Sequence, residues 1–291
     1  DGSTDRTADI VHSFKHEAIK YFLKENGGVS SARNYALKKA GGSFVVILDS
    51  DDMITPDFLA RHLMVFEEHP ETDLVYCDDC FIDEENKPIR VMKRPEYSDS
   101  KALISELFRY GWAILPFRTC IRKSVFDKIG LYDERLIMSE DYDMLRRFVS
   151  QGLRMRHLPA ALYLRHPTVN SLSRSFNAAK AKGHFEVVRK FTETFTAEQL
   201  FPGVRWENLP AEQKPLLAKC KAALVYIGIG EQYLASNAQD FAETAFDMAC
   251  AELDDCCKIE PANQQVRNLR EKCLAIRAKH SSSGSRGVYQ T

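Results

Sequence analysis

Ser43-Phe44-Val45-Val46-Ile47-Leu48 is a short, unbroken apolar run, and three carboxylates follow it at once in Asp49-Ser50-Asp51-Asp52. A continuous β-branched run of this length, with no polar alternation, is the pattern of a strand covered on both faces by helices. It predicts a central parallel strand in an α/β sheet. In open α/β sheets ligands bind beyond the carboxyl ends of the strands, so these acids stand where a site is expected. Crowded carboxylates repel one another, and a hard cation with oxygen ligands, Mg²⁺ or Mn²⁺, relieves that repulsion at neutral pH. An acidic turn at the approach to the next helix explains the same residues without any metal.

The flanking segments carry the α/β reading onward. Ala32, Leu37 and Ala40 have helical spacing over residues 30–40, and Gly41-Gly42 supplies a stop. Thr55-Pro56 predicts the next helix, with Thr55 as cap and Pro56 in the first turn, running to about His69-Pro70. A strand is predicted from Leu74 to Phe81, then an amphipathic helix from Ser98 to Arg109. Ser139 is placed to cap a helix that buries Met144, Leu145 and Phe148 and closes at Gly152. Two short strands are expected around Pro159, at 154–158 and 161–165. Alternating strands and helices give an α/β class.

Beyond Ser173 the strand signals cease and the period is helical, broken at Phe201-Pro202-Gly203 and Pro210. Gly230, Tyr233, Ala242, Phe246 and Ala249 fall at the relative spacings of a tetratricopeptide unit, in which small and aromatic residues interlock two antiparallel helices. The proline of that pattern would fall at Asp254, whereas this chain has Pro261, and a generic helical hairpin fits as well. The expected division is an α/β domain over 1–200, a linker over 201–215, an all-α domain over 216–280 and a flexible tail over 281–291. Asp1-Gly2-Ser3-Thr4-Asp5 is a turn-forming string that in a complete α/β domain follows a strand. We therefore expect the first strand, a helix and a second strand to be missing ahead of it.

Composition removes several classes. Lys plus Arg (40) nearly balances Asp plus Glu (41), so no global field draws the chain to nucleic acid or to an anionic membrane. No apolar run is long enough to span a bilayer and no charged-then-apolar leader opens the sequence. Eight Cys at irregular spacings make no disulfide framework, which suits a reducing cytoplasm, with attachment at the inner membrane face as a peripheral option. Cys77-Asp78-Asp79-Cys80 has the CxxC form but no second pair, so Cys77 and Cys80 are expected as small buried hydrophobes, and adjacent Cys256-Cys257 is no stronger a pair.

Four motifs in order carry a resemblance: Asp1-Gly2-Ser3-Thr4-Asp5; Gly28 followed by Ala32-Arg33-Asn34; Gly42; and Leu48-Asp49-Ser50-Asp51-Asp52. They resemble the nucleotide-sugar half of family 2 glycosyltransferases of GT-A fold, a Rossmann-like architecture. The likeness extends through Phe126 to Glu134 and Ser139-Glu140-Asp141-Tyr142-Asp143 to about Ser173. The resemblance implies a nucleoside-diphosphate sugar donor, most naturally a UDP-sugar, and a glycan, lipid or protein hydroxyl as acceptor. It implies that Asp1 contacts the base or ribose, that Arg33 helps hold the nucleotide, and that Asp49 and Asp51 are the DxD pair, with Asp51 the direct metal ligand. Alone, Asp1 reads as a turn residue and Arg33 as a solvated helix charge.

A transferred sugar needs a base for the acceptor hydroxyl, and Asp141 is the candidate, with Glu140 positioning it or the acceptor. Neighbouring helical residues face different directions, so the two are not expected to point alike at one atom. Acids in a first helical turn are also favoured by the helix dipole alone. Tyr163-Leu164-Arg165-His166 and Ser171-Leu172-Ser173 resemble the cationic element that closes over the diphosphate, although Arg165 and His166 lack the usual intervening residue. The implied reaction is an inverting in-line displacement. Its rivals are nucleotidyl transfer to a sugar phosphate, which has no sugar hydroxyl needing Asp141, and a degenerate scaffold whose helical region binds a protein partner.

Overall fold

The computed structural model describes residues 1–97, 100–110, 119–167 and 177–281. The chain divides into two compact units, one formed by Asp1–Glu96 with Pro116–Pro167, the other by Tyr97–Leu115 with Thr168–Thr291.

The first unit runs α1 (Thr7–Ser13), α2 (Gly28–Lys39), β1 (Phe44–Val46), β2 (Asp52–Ile54), α3 (Phe58–Glu68), β3 (Leu74–Ile82) and β4 (Pro88–Met92). The second unit then takes α4 (Ser100–Tyr110), and the first resumes with β5 (Thr119–Arg122), α5 (Val125–Ile129), α6 (Glu140–Ser150) and β6 (Met155–Arg165). Its mixed sheet has the order β1-β5-β3-β6-β2, with β4 paired to β3. β3 runs parallel to β6 and antiparallel to β5, and eight of its nine residues are buried. Phe58, Cys77, Leu162 and Tyr163 form one core cluster and Phe66, Val75 and Cys120 another. Cys77 and Cys80 are buried thiols outside any disulfide, as small hydrophobes should be.

The strand predicted as central and parallel is neither. β1 stands at one end of the strand order and pairs antiparallel with β5, Phe44 opposite Arg122. Only Val45 in it is buried, and the place in the middle goes to the longer β3. An unbroken apolar run favours a strand, but neither its neighbours nor its full burial follows from it, and Leu48 of this run is 45% exposed.

Other boundaries shift for local reasons. The Thr55 N–H donates to the Leu162 carbonyl (2.9 Å), which keeps Thr55 on the sheet, so α3 starts at Phe58 with Asp57 at its cap position. The two strands expected around Pro159 are one continuous β6, with its register against β3 shifting at Cys77/Asp78 and Asp78/Asp79. A proline without an N–H is accommodated in a strand at such an irregularity. Ser139 does precede α6, but its backbone is left-handed (φ 69) and its side chain makes no cap bond. The predicted residues Ser98, Ser171 and Ser173, and the tail beyond Ser281, lie outside the described residues.

The second unit is helical, formed by α4 together with α7 (Ala178–Thr194), α8 (Ala197–Leu200), α9 (Lys214–Ala235), α10 (Gln239–Ile259) and α11 (Gln264–Ser281). Phe108 of α4 is fully buried, its ring centroid 6.0 Å from Phe191, 5.9 Å from Phe201 and 6.0 Å from Tyr226. Full burial of one such ring contributes about 1.5–3 kcal/mol. Gly230, Tyr233, Ala242, Phe246 and Ala249 are all buried, on α9 and α10. A Cβ added at Gly230 would stand 2.8 Å from the Phe246 ring, so only glycine lets the helices approach this closely there. Cys220 and Cys256 bring their sulfurs to 3.4 Å, as do Cys250 and Cys273. Among the described residues no helix is long and apolar enough to cross a membrane.

Candidate functional site

The acidic turn is built between two strands. β1 ends at Val46, the Asp52 N–H donates to the Asp49 carbonyl (3.1 Å), and β2 begins at Asp52, pairing Asp52 with Arg165 and Ile54 with Tyr163 of β6. Tyr163, 3% exposed in the core, hydrogen-bonds the Asp52 carboxylate and the Asp49 backbone through its phenol. Burial first, then the charges of Asp52 and Asp49, push its pKa up. His166 Nδ1 lies 2.9 Å from the Asp51 carbonyl, to which it donates, and Nε2 lies 3.0 Å from the Asn86 side-chain oxygen. Tyr163 and His166 thus fasten the loop from opposite ends. The Asp49 side chain stays open to solvent, 54% exposed.

Arg33 joins this turn to a second acidic group far away in sequence. Its Nη2 donates to Asp49 Oδ1 (3.2 Å), and its Nη1 donates to Glu140 Oε1 (2.8 Å) and Asp141 Oδ1 (3.0 Å). Adjacent Glu140 and Asp141 therefore do meet at one atom, against the expectation from helix geometry. They sit in the first turn after the left-handed Ser139, and the longer Glu140 side chain makes up the difference in direction. Asn34, next to Arg33 on α2, donates to the Tyr132 carbonyl and accepts from the Tyr132 N–H, both at 2.9 Å. That two-way clamp sets the Tyr132 ring 5.5 Å from the Arg33 guanidinium, a cation–π contact.

The electrostatics follow from the count: three carboxylates share one guanidinium. Burial first, then the neighbouring Glu140 charge, pushes the Asp141 carboxyl up to about 7, with Arg33 opposing and Asp49 adding to the rise. Burial is the largest single influence on Arg33 and lowers its pKa, but the charges of Asp141, Glu140 and Asp49 outweigh it in sum and raise the pKa, so the guanidinium is cationic throughout. The two shifts are consistent because a surplus of negative charge favours the cation and one shared proton together. A carboxyl titrating near neutrality is suited to general base work.

The other expected residues are placed as follows. Asp1 accepts from Lys24 Nζ (2.6 Å), the Gly27 N–H (2.9 Å) and the Gly28 N–H (2.9 Å), which fastens it at the start of α2. Arg165 ends β6 with its guanidinium 5.1 Å from the Phe81 ring and Nη1 3.8 Å from Asp79 Oδ2. Asp79 is fully buried and bound by Arg94 at 2.5 Å, while Asp78 accepts from the Arg94 N–H and a His157 ring nitrogen, each at 2.8 Å. These two acids were not singled out as site residues, although two carboxylates in an apolar strand already demand buried partners.

Among the described residues no three His, Cys, Asp or Glu side chains group as a metal cage. Asp49 and Asp51 on one open turn nevertheless fit Mg²⁺ or Mn²⁺, cations that bind through one or two carboxylates and leave other positions to water and phosphate oxygens. A Cβ at Gly2 (φ +73) would meet Asn26 at 2.9 Å, so glycine is required where the chain turns past Asp1.

Residues 1–130 match the family model described as Glycosyl transferase family 2. An uncharacterized glycosyltransferase of Rickettsia typhi is 32% identical over 151 residues, 51% of this chain and 47% of the relative. The hyaluronan synthase of Pasteurella multocida is 26% identical over 193 residues, 65% of this chain and 19% of that protein. This chain spans about half the length of the first Rickettsia relatives it matches, 47% in each. Among solved structures, S. aureus TarS 1–349 in complex with UDP superposes with a TM-score of 0.53 at 17% identity, covering 84% of this chain and 78% of that one. At that identity the likeness carries the fold, a GT-A sheet with a helical C-terminal part.

Proposed function

From the match of residues 1–130 to the glycosyl transferase family 2 model, we propose that this chain transfers a sugar from a nucleoside-diphosphate sugar to an acceptor hydroxyl, with inversion at the sugar carbon. The observation that carries the proposal is the meeting of Asp49, Glu140 and Asp141 on Arg33, across 107 residues of sequence. Proximity of Asp49 to Asp141 through Arg33 supports a donor-side acid and a base acting in one displacement.

In this reading Asp141 takes the proton of the acceptor hydroxyl as it attacks, and Glu140 holds the acceptor or Asp141 in place. Asp49 and Asp51 hold the divalent cation, Asp51 as the direct ligand. When bound, that ion screens the negative charge that develops on the leaving diphosphate. Asp1 and the start of α2 meet the nucleoside, while Arg165 and His166 supply the positive side of the diphosphate site. UDP is the preferred nucleotide, supported by the UDP bound to the similarly folded TarS. A reducing, cytoplasmic setting agrees with eight cysteines of which none is in a disulfide. The acceptor is a glycan, lipid or protein hydroxyl, and the helical region is offered to a protein partner.

The test is a screen of UDP-sugars with Mn²⁺ present and absent, reading UDP release and transfer to acceptors. Asp141→Asn is expected to lower transfer by about 10²–10⁴-fold, the range for losing a general base, while calorimetric UDP affinity stays near wild type. Retained turnover removes Asp141 from the role, and turnover indifferent to chelation removes the cation.

A further inference from the structure

Arg33 is expected from the resemblance to hold the nucleotide, yet its guanidinium is directed at protein carboxylates. Nη1 is shared by Glu140 (2.8 Å) and Asp141 (3.0 Å), and Nη2 reaches Asp49 (3.2 Å). The side chain is 13% exposed and one face lies toward the Tyr132 ring at 5.5 Å. Its place on α2 is fixed in turn by Asn34, the next residue, which is 4% exposed and clamped to the Tyr132 backbone. A planar guanidinium presents its donors in a rigid fork, so once both Nη atoms are engaged the side chain imposes an orientation on its partners.

The geometry points to Arg33 as the positioning residue of the base: it ties Oδ1 of Asp141, turns Oδ2 toward the acceptor hydroxyl, and references that carboxylate to Asp49 on the donor side. This deepens the sugar-transfer reading and rests on it. Glu140 and Asp141 carry like charges on adjacent residues, and without a cation between them they would swing apart. A fork that also grips Asp49 fixes how far the base stands from the acidic turn. Attack on the sugar carbon demands such registration, since small misplacements of reacting groups are expensive in rate. Arg33 is not a catalytic residue in this account, because it touches Asp141 and not the reacting atoms.

The experiment uses the 291-residue chain with UDP and Mn²⁺ for binding by calorimetry and the best UDP-sugar of the screen for turnover. Wild type is measured first, and absence of both UDP binding and UDP release overturns the sugar-transfer reading itself before any variant is made. With wild type active, Arg33→Gln is expected to lower kcat about 100-fold while UDP Kd and donor KM stay within about threefold, the signature of an interaction made in the transition state. Arg33→Lys should recover turnover to within about tenfold of wild type, because an ammonium keeps the charge and one contact but not the fork. Thermal melting of both variants separates a folding defect from the effect sought, and Arg33→Lys carries the test if Arg33→Gln does not fold. A fall in UDP affinity of more than about tenfold with kcat at saturation unchanged assigns Arg33 to the nucleotide and overturns the inference. Unchanged kcat and unchanged affinity overturn it equally.

Discussion

Asp141→Asn should make the protein more stable at high pH while removing its proposed activity. The perturbation deletes the ionisation of one of three carboxylates that share Arg33. Burial and the Glu140 charge raise the folded-state pKa of Asp141 from 3.8 to about 7. The folded state therefore holds this proton more tightly than the unfolded chain does. The stability it contributes is fully present below the unfolded pKa and is lost as pH rises through the folded one. A shift of about three pK units corresponds to roughly 4 kcal/mol at most. Asp141 keeps 24% of its side chain exposed, and water reaching it reduces the expectation to about 1–2 kcal/mol. Urea unfolding followed by circular dichroism, at about pH 4.5 and about pH 8, measures it. The advantage of Asp141→Asn over wild type should grow by about 1–2 kcal/mol between those conditions. A difference that stays flat, or that favours wild type more at high pH, would mean Arg33 holds Asp141 ionised throughout, and the argument for a near-neutral base would fail.

Two further substitutions test the fold. Gly230→Ala gains helix propensity of about 0.5–1 kcal/mol, but its Cβ would meet the Phe246 ring at 2.8 Å; overpacking of about 1–3 kcal/mol should prevail and lower the melting temperature, and a higher one would contradict the tight approach of α9 and α10. Asp79→Ala would strand Arg94, only 12% exposed, and should cost about 3–5 kcal/mol in urea unfolding, whereas a cost under about 1 kcal/mol would show that the pair is solvated.

The chemistry of the site was more legible than its architecture. Carboxylates at 49, 51, 140 and 141 stand out because acids gathered at strand and helix ends advertise themselves in any sequence, and α2, β3 and the α9–α10 seam follow from periodicity. The place of β1 in the sheet was not legible, since its own partners lie up to 78 positions away, as Phe44 on Arg122. Nor did Tyr163 signal that it braces the acidic turn, because a tyrosine in an apolar strand reads as ordinary core. Arg33 was singled out, but its partners 107 and 108 positions downstream carry no local trace.

The chain leaves the sheet-bearing unit after Glu96, lends α4 to the helices, returns near Pro116 and departs again after Pro167. No single cut can therefore separate the two. A truncation that kept the sheet and discarded everything from α7 onward would retain α4 while stripping away Phe191, Phe201 and Tyr226, the rings around Phe108. Such a piece would carry a greasy, orphaned helix in the middle of its sequence and should clump, so a minimal soluble version needs the 97–115 excursion bridged as well.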